Sequence, residues 1–176
     1  MLVSIAQVGN NSVNPFSTGW TVVAGASLSG NPKGRGTVLH RVADGTEGGS
    51  FVFTLGAGTT GAVGSIAAFS GVDTSGATPF DVTPGSILAG NGSAVGATAI
   101  TTASANAAVI MFGMASNGAP TWSGWTTTSP GALTELYDGQ NSSGSQASVG
   151  AAWATDGGIR RGWQDAGQHD RTPGAV

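Results

Sequence analysis

Residues 63–81, VGSIAAFSGVDTSGATPFD, constrain the fold more than any other stretch. The apolar run Ile66-Ala67-Ala68-Phe69 is bounded by turn residues and reads as a buried β-strand. It closes in Gly71-Val72-Asp73 and then Pro79-Phe80-Asp81, the pattern of a rigid connection between sheets rather than of a helix. The stretch speaks to fold and hardly to chemistry, because it holds no nucleophile–base pair and no metal-ligand cluster.

The rest of the chain reads as more strands of the same domain. Residues 2–8 alternate loosely, and residues 19–24 follow with Trp20 packing into the core or capping one end. In residues 37–43, Val38, His40 and Val42 share one face and Leu39 and Arg41 the other. Residues 50–55 form the clearest strand, with Phe51, Phe53 and Leu55 on one face. Residues 63–70, 94–102, 106–116, 133–138 and 146–155 complete the set. The continuous apolar run at 106–116 is read as a central strand buried on both faces. Residues 9–18, 25–36 and 82–91 are polar or irregular connections, and 122–128 is a Trp-rich loop or short strand. About ten strands and no helix predict an all-β, antiparallel two-sheet β-sandwich of jelly-roll type with about 8–10 strands. A parallel sheet would need crossover helices that the sequence does not supply.

The sandwich is expected over residues 1–155. Residues 156–176 change character: they lose the alternation and gather Asp156, Arg160, Arg161, Asp165, Asp170 and Arg171. They read as a mobile tail, as an arm that orders against a neighbouring subunit, or as an oddity of reading frame.

Only 9% of the 176 residues are charged, and 31 are glycine, so the surface must be built from Ser, Thr, Asn and backbone. That suits secreted or assembled β-proteins with Gly-rich turns. Five Trp, six Phe and 39% hydrophobic residues give enough apolar area to offset chain entropy, which argues against disorder. A net charge of −3 with no basic patch argues against nucleic acid as a partner. No cysteine is present, which excludes disulfides and Cys-based metal sites. The N-terminus lacks the basic region and apolar length of a signal peptide, and no run is long enough to span a membrane. The chain reads as made and kept soluble, or as released by lysis in the way of a virion component.

Several motifs come in order between Trp20 and Trp153. They are Gly19-Trp20-Thr21-Val22-Val23, the run from Leu39 to Val42 entering the turn Ala43-Asp44-Gly45-Thr46-Glu47, and Phe51-Val52-Phe53-Thr54. Ala68-Phe69-Ser70-Gly71-Val72-Asp73 then precedes Pro79-Phe80-Asp81, residues 107–112 and the loop at Trp122. This ordered set resembles a β-sandwich domain family of phage virion proteins (tail fibre, minor tail and capsid-surface) and secreted bacterial surface proteins. The resemblance implies a structural or adhesive module without catalytic residues or cofactors. The chain departs from the family pattern by lacking an extra leading strand and by ending in the charged segment. A neighbouring subunit that completes the sandwich would account for either departure.

Candidate sites are few. Asp73 and Asp81 flank a Gly/Ser/Thr loop and either ligate Ca²⁺ or brace the loop by accepting amide hydrogen bonds. Asp44 and Glu47 share one turn, where Glu47 braces backbone amides or pairs with Arg41, and a tight turn seldom offers the cleft that catalysis requires. His40 and His169 are too few and too separated for a transition-metal site. No serine sits in a Gly-x-Ser-x-Gly elbow joined to a suitable His and Asp. Trp122 and Trp125 form either a flat platform for sugar rings or a protein partner, or a plug for the end of the sandwich. Trp163 is placed to anchor the charged segment in a neighbour. Glycosylation sequons at Asn10, Asn91 and Asn141 read as coincidence in an Asn/Ser-rich chain.

The expectation is a non-enzymatic structural protein of a bacteriophage-like virion, a capsid decoration or tail component. Its partners would be copies of itself and other virion proteins. The alternative is an adhesion module for carbohydrate or host surface, located outside the cell or on its surface.

Overall fold

The computed structural model describes residues 1–9, 14–28, 33–90, 92–116 and 118–155. Among them are seven strands and no helix: β1 (Leu2–Gly9), β2 (Thr21–Leu28), β3 (Gly34–His40), β4 (Thr59–Ala67), β5 (Ala108–Ala115), β6 (Thr134–Gln140) and β7 (Ser148–Thr155). No helix of the described residues is long and apolar enough to cross a membrane. The strands form two antiparallel sheets, a four-stranded one in the order β2-β3-β1-β4 and a three-stranded one in the order β5-β7-β6. Each sheet is built from consecutive strands, whereas a jelly roll alternates strands between its sheets.

Strand β1 sets the layers. Val3 pairs with Leu39 on one side and Ile66 on the other, while its neighbour Ser4 pairs with Val38 and Ser65. Successive side chains point to opposite faces, so the two sets bury against different layers. On the inner face, Ala6 and Val8 pack with Ala147 and Val149, joined by Val63, Met114 and Tyr137. Small residues at the centre let the two sheets approach, and burial of the larger side chains around them supplies the hydrophobic stabilisation. On the outer face, Val3, Ile5 and Leu39 pack with Trp20 and are covered by Phe51, Phe53 and Leu55. The Trp20 ring meets both phenylalanines edge-on, each at 5.3 Å between centroids.

Several sequence expectations are corrected here. Residues 50–55 form no strand; among the described residues their backbone pairing is an isolated bridge between Phe16 and Thr54. Their alternation marks burial of one face, since Val52 stands 80% exposed while Phe51 and Phe53 pack inward. The segment therefore lies on a sheet without joining it. Ile66 is 42% exposed, because β4 is an edge strand and its outer face is only partly covered. Strand β5 is also an edge rather than the centre of its sheet, and β7 takes the central place. The expected loop at residues 25–36 is mostly strand, as β2 continues to Leu28 and β3 begins at Gly34. Residues 94–102 form no strand.

Candidate functional site

Strands β5 and β7 carry a glycine at matching positions, Gly113 opposite Gly150. Glycine inside an apolar strand weakens it unless something approaches the backbone closely. Here that something is the Trp122 indole. A Cβ at Gly113 would lie 2.5 Å from Trp122 Cε3, and one at Gly150 would lie 2.6 Å from Trp122 Cγ. The ring lies flush on the outer face of the three-stranded sheet in a slot that only hydrogen atoms leave open. Its Nε1–H donates to Ser148 Oγ at 3.0 Å, and its backbone N–H donates to Asp138 Oδ2 at 2.8 Å.

Trp125 stacks on this base, with ring centroids 5.9 Å apart and planes inclined by 30°. Its Nε1–H donates to Glu135 Oε2 at 3.2 Å. Both carboxylates come from β6, and strict alternation would place Glu135 and Asp138 on opposite faces. The register of β6 against β7 shifts between Glu135 and Tyr137, so that Glu135 faces Ala152 and Asp138 faces Gly150. This bulge brings both acids to the outer face while Tyr137 points between the sheets. The loop is closed further along by Leu133 N–H donating to the Trp125 carbonyl and by Thr127 N–H donating to that of Gly131.

The structure thus joins Trp122 and Trp125 in one half-buried stacked pair, backed by a sheet and rimmed by two carboxylates. Aromatic faces and edges beside carboxylate acceptors are the elements that receive sugar rings, whose C–H faces stack while their hydroxyls donate. The roles of Glu135 and Asp138 were invisible in the sequence, because only the bulge reconciles their spacing. The two glycines did carry a signal, as interruptions of otherwise apolar strands.

The remaining candidates sit elsewhere. Asp73 Oδ1 accepts from the Ser75 amide at 2.9 Å, and this hydrogen bond holds its carboxyl below the usual carboxylate range. Asp81 Oδ2 accepts from the amides of Ala103 and Ser104 far along the chain, and the Ser104 hydroxyl first and these amides next lower its pKa. Each of the two aspartates is engaged with its own amides. Among the described residues no three His, Cys, Asp or Glu side chains gather. Glu47 does both things its position allows, accepting from the Asp44 and Gly45 amides at 2.9 and 3.0 Å and pairing with Arg41 at 3.4 Å. Asn141 is absorbed in its own turn, donating to the carbonyls of Ser143 and Ser145 and accepting from Ala147 N–H. His40 meets Phe80 edge-on at 4.9 Å, and its buried Nδ1 has no hydrogen-bond partner among the described residues. Trp163, His169, Asn10 and Asn91 lie outside the described residues, as does all of 156–176.

Compared with models of protein families, with curated proteins and with solved structures, the chain matches none.

Proposed function

We propose that the protein is a structural component of a bacteriophage-like particle, acting through subunit interfaces rather than through catalysis. The observation that carries this reading is the long connection from β4 to β5. Its described residues form no strand, and Leu88, Val95 and Ile100 stand 55%, 52% and 42% exposed on it. Residues 82–102 contain no Asp, Glu, Lys, Arg or His. Connections of this length without secondary structure are uncommon in compact domains and usually serve a purpose. An uncharged excursion that presents aliphatic side chains to water is suited to burial against another molecule. The placement in a virion rests on the resemblance of residues 20–153 to phage β-sandwich domains. Capsid decoration and tail component fit this reading equally, and copies of the chain and other virion proteins are the partners it implies. The purified protein is expected to form multimers by light scattering and particle imaging. A single chain at every concentration would count against the reading.

A second reading, adhesion to carbohydrate on a host surface, is favoured by the stacked Trp122–Trp125 pair with its carboxylate rim. Binding on a glycan array that disappears in Trp125→Ala supports it; no binding on arrays or host envelopes removes it. Trp125 is the residue to change, because Trp122 also covers the sheet.

A further inference from the structure

The Trp122–Trp125 pair sits in a part of the chain without a basic residue. Between Arg41 and Arg160 the sequence has no Lys, Arg or His, so strands β4 to β7 and their connections carry none. The basic groups among the described residues are Lys33, Arg35, His40, Arg41 and the Met1 amino group. All of them lie on β1 and β3 or at their ends, in the four-stranded sheet. The three-stranded sheet carries two carboxylates, Glu135 and Asp138, and the bulge of β6 puts both on the face that Trp122 covers.

Both indole N–H donors are engaged, that of Trp122 with Ser148 and that of Trp125 with Glu135. Each carboxylate gives one oxygen to the loop, Glu135 Oε2 to Trp125 and Asp138 Oδ2 to Trp122. Both acids are exposed. Among the described residues their other oxygens, Glu135 Oε1 and Asp138 Oδ1, accept no hydrogen bond, and the ion pair that forms is Arg41 with Glu47, on the other sheet. Trp122 is committed to the sheet, so a ligand meets the Trp125 indole and two negative charges that no cation compensates.

Resting on the carbohydrate reading above, we infer that this site takes an amino sugar with a free ammonium group. The indole stacks on the C–H face of the sugar ring and attracts the cation through its quadrupole. The carboxylates accept from the ammonium N–H groups and compensate its charge. An aromatic cage for a bare alkylammonium encloses it on several sides. The two indoles here are stacked, with planes inclined by 30°, and offer a flat surface suited to a ring. A neutral sugar stacks as well and donates its hydroxyls, but leaves both negative charges without a cation. N-acetylation removes the charge and presents a carbonyl to a pair whose indole donors are already engaged. A uronic acid brings a like charge to the carboxylate rim, which disfavours it.

The test uses the full chain and isothermal titration calorimetry with short oligomers of glucosamine, of N-acetylglucosamine and of galacturonic acid. The wild type is expected to bind the glucosamine oligomer about tenfold more tightly than the N-acetylated one, as an exposed ion pair and a cation–π contact together allow. The galacturonic acid oligomer is expected not to bind. Added salt should narrow the preference, since the charges are exposed. Glu135→Gln with Asp138→Asn keeps an acceptor oxygen for each Trp hydrogen bond and removes both charges. Glucosamine affinity in this variant is expected to fall to the N-acetylglucosamine value, and Trp125→Ala is expected to lose both. Circular dichroism confirms that each variant is folded. Glucosamine binding that survives Trp125→Ala is general attraction to a chain of net charge −3 and overturns the inference. Equal binding of the two amino-sugar oligomers by the wild type, lost in Trp125→Ala, overturns it while leaving the carbohydrate reading standing. Binding of none of the three oligomers also overturns it, and an empty glycan array as well removes the reading on which it rests.

Discussion

The hydroxyls of Ser4 and Tyr137 lie 2.8 Å apart across the space between the two sheets. Ser4 is fully buried, and Tyr137 belongs to the packed cluster of Ala6, Val8 and Val149. The pair satisfies two polar groups in an apolar layer and ties the four-stranded sheet to the three-stranded one.

Burial pushes the Tyr137 hydroxyl up to about 12, from an ordinary value of 10.0. The folded state then keeps a proton that the unfolded chain releases, so this contribution is whole below pH 10 and is lost as the pH rises through about 12. Two pH units correspond to about 2–3 kcal/mol. Tyr137 is the chain's single tyrosine, so an ultraviolet titration of tyrosinate reports it alone. The expected result is a titration near 12 that coincides with unfolding. Tyr137→Phe should abolish the alkaline transition and, by orphaning the Ser4 hydroxyl, cost about 1–2 kcal/mol at neutral pH.

Gly150→Ala is expected to destabilise the three-stranded sheet by about 1–3 kcal/mol, because the new methyl meets an indole whose Nε1–H is tied to Ser148 and whose residue is tied through its backbone N–H to Asp138. Denaturant titration followed by tryptophan fluorescence measures it. In the Trp122→Leu background the same change should cost less than the sum of the two, and strict additivity would show that the glycine is not there for the ring.

Asp81→Ala should release the base of the 82–102 excursion. Hydrogen exchange at the Ala103 and Ser104 amides is expected to speed up, with the sheets unaffected. Because hydrogen bonds lower the Asp81 pKa, the clamp is intact above the ordinary carboxylate value of 3.8 and weakens as the pH falls through the lowered one. Unchanged exchange in the variant would mean that the carboxylate does not hold the excursion.

His40 titrates below its ordinary value of 6.5, first because it is buried and then because the Met1 amino group is near. The unfolded chain therefore takes up a proton before the folded one does. Stability is at its full level above pH 6.5 and declines as the pH falls through the lowered His40 pKa. Melting temperature measured across this window should slope downward in the wild type and flatten in His40→Gln. An equal slope in both would place the acid sensitivity elsewhere.

The sequence was legible where alternation reports burial and opaque where pairing decides. Phe51, Phe53 and Leu55 announce one buried face, but an alternating segment that lies on a sheet looks the same as one inside it. Likewise the apolar run of β5 predicts a strand without telling edge from centre, since that depends on where β7 inserts. Asp73, Asp81 and Glu47 could be read as braces because Asx and turn geometry are local. The distant partner of Asp81 could not, and neither could the two carboxylates of β6, which depend on a one-residue bulge. The glycines of β5 and β7 marked a close approach without naming the ring that makes it.

The position of β1 has a consequence for synthesis. It is hydrogen-bonded on both sides, to β3 and to β4, yet it is synthesised before either of them. Its second edge stays open until Ala67 has emerged, and such an edge is a template for pairing with another nascent chain. The widest span that the three-stranded sheet must close, from β5 to β7, is shorter than the span from β1 to β4. Contacts of long sequence separation form slowly, so closing β4 onto β1 is the step at which folding and misassembly compete.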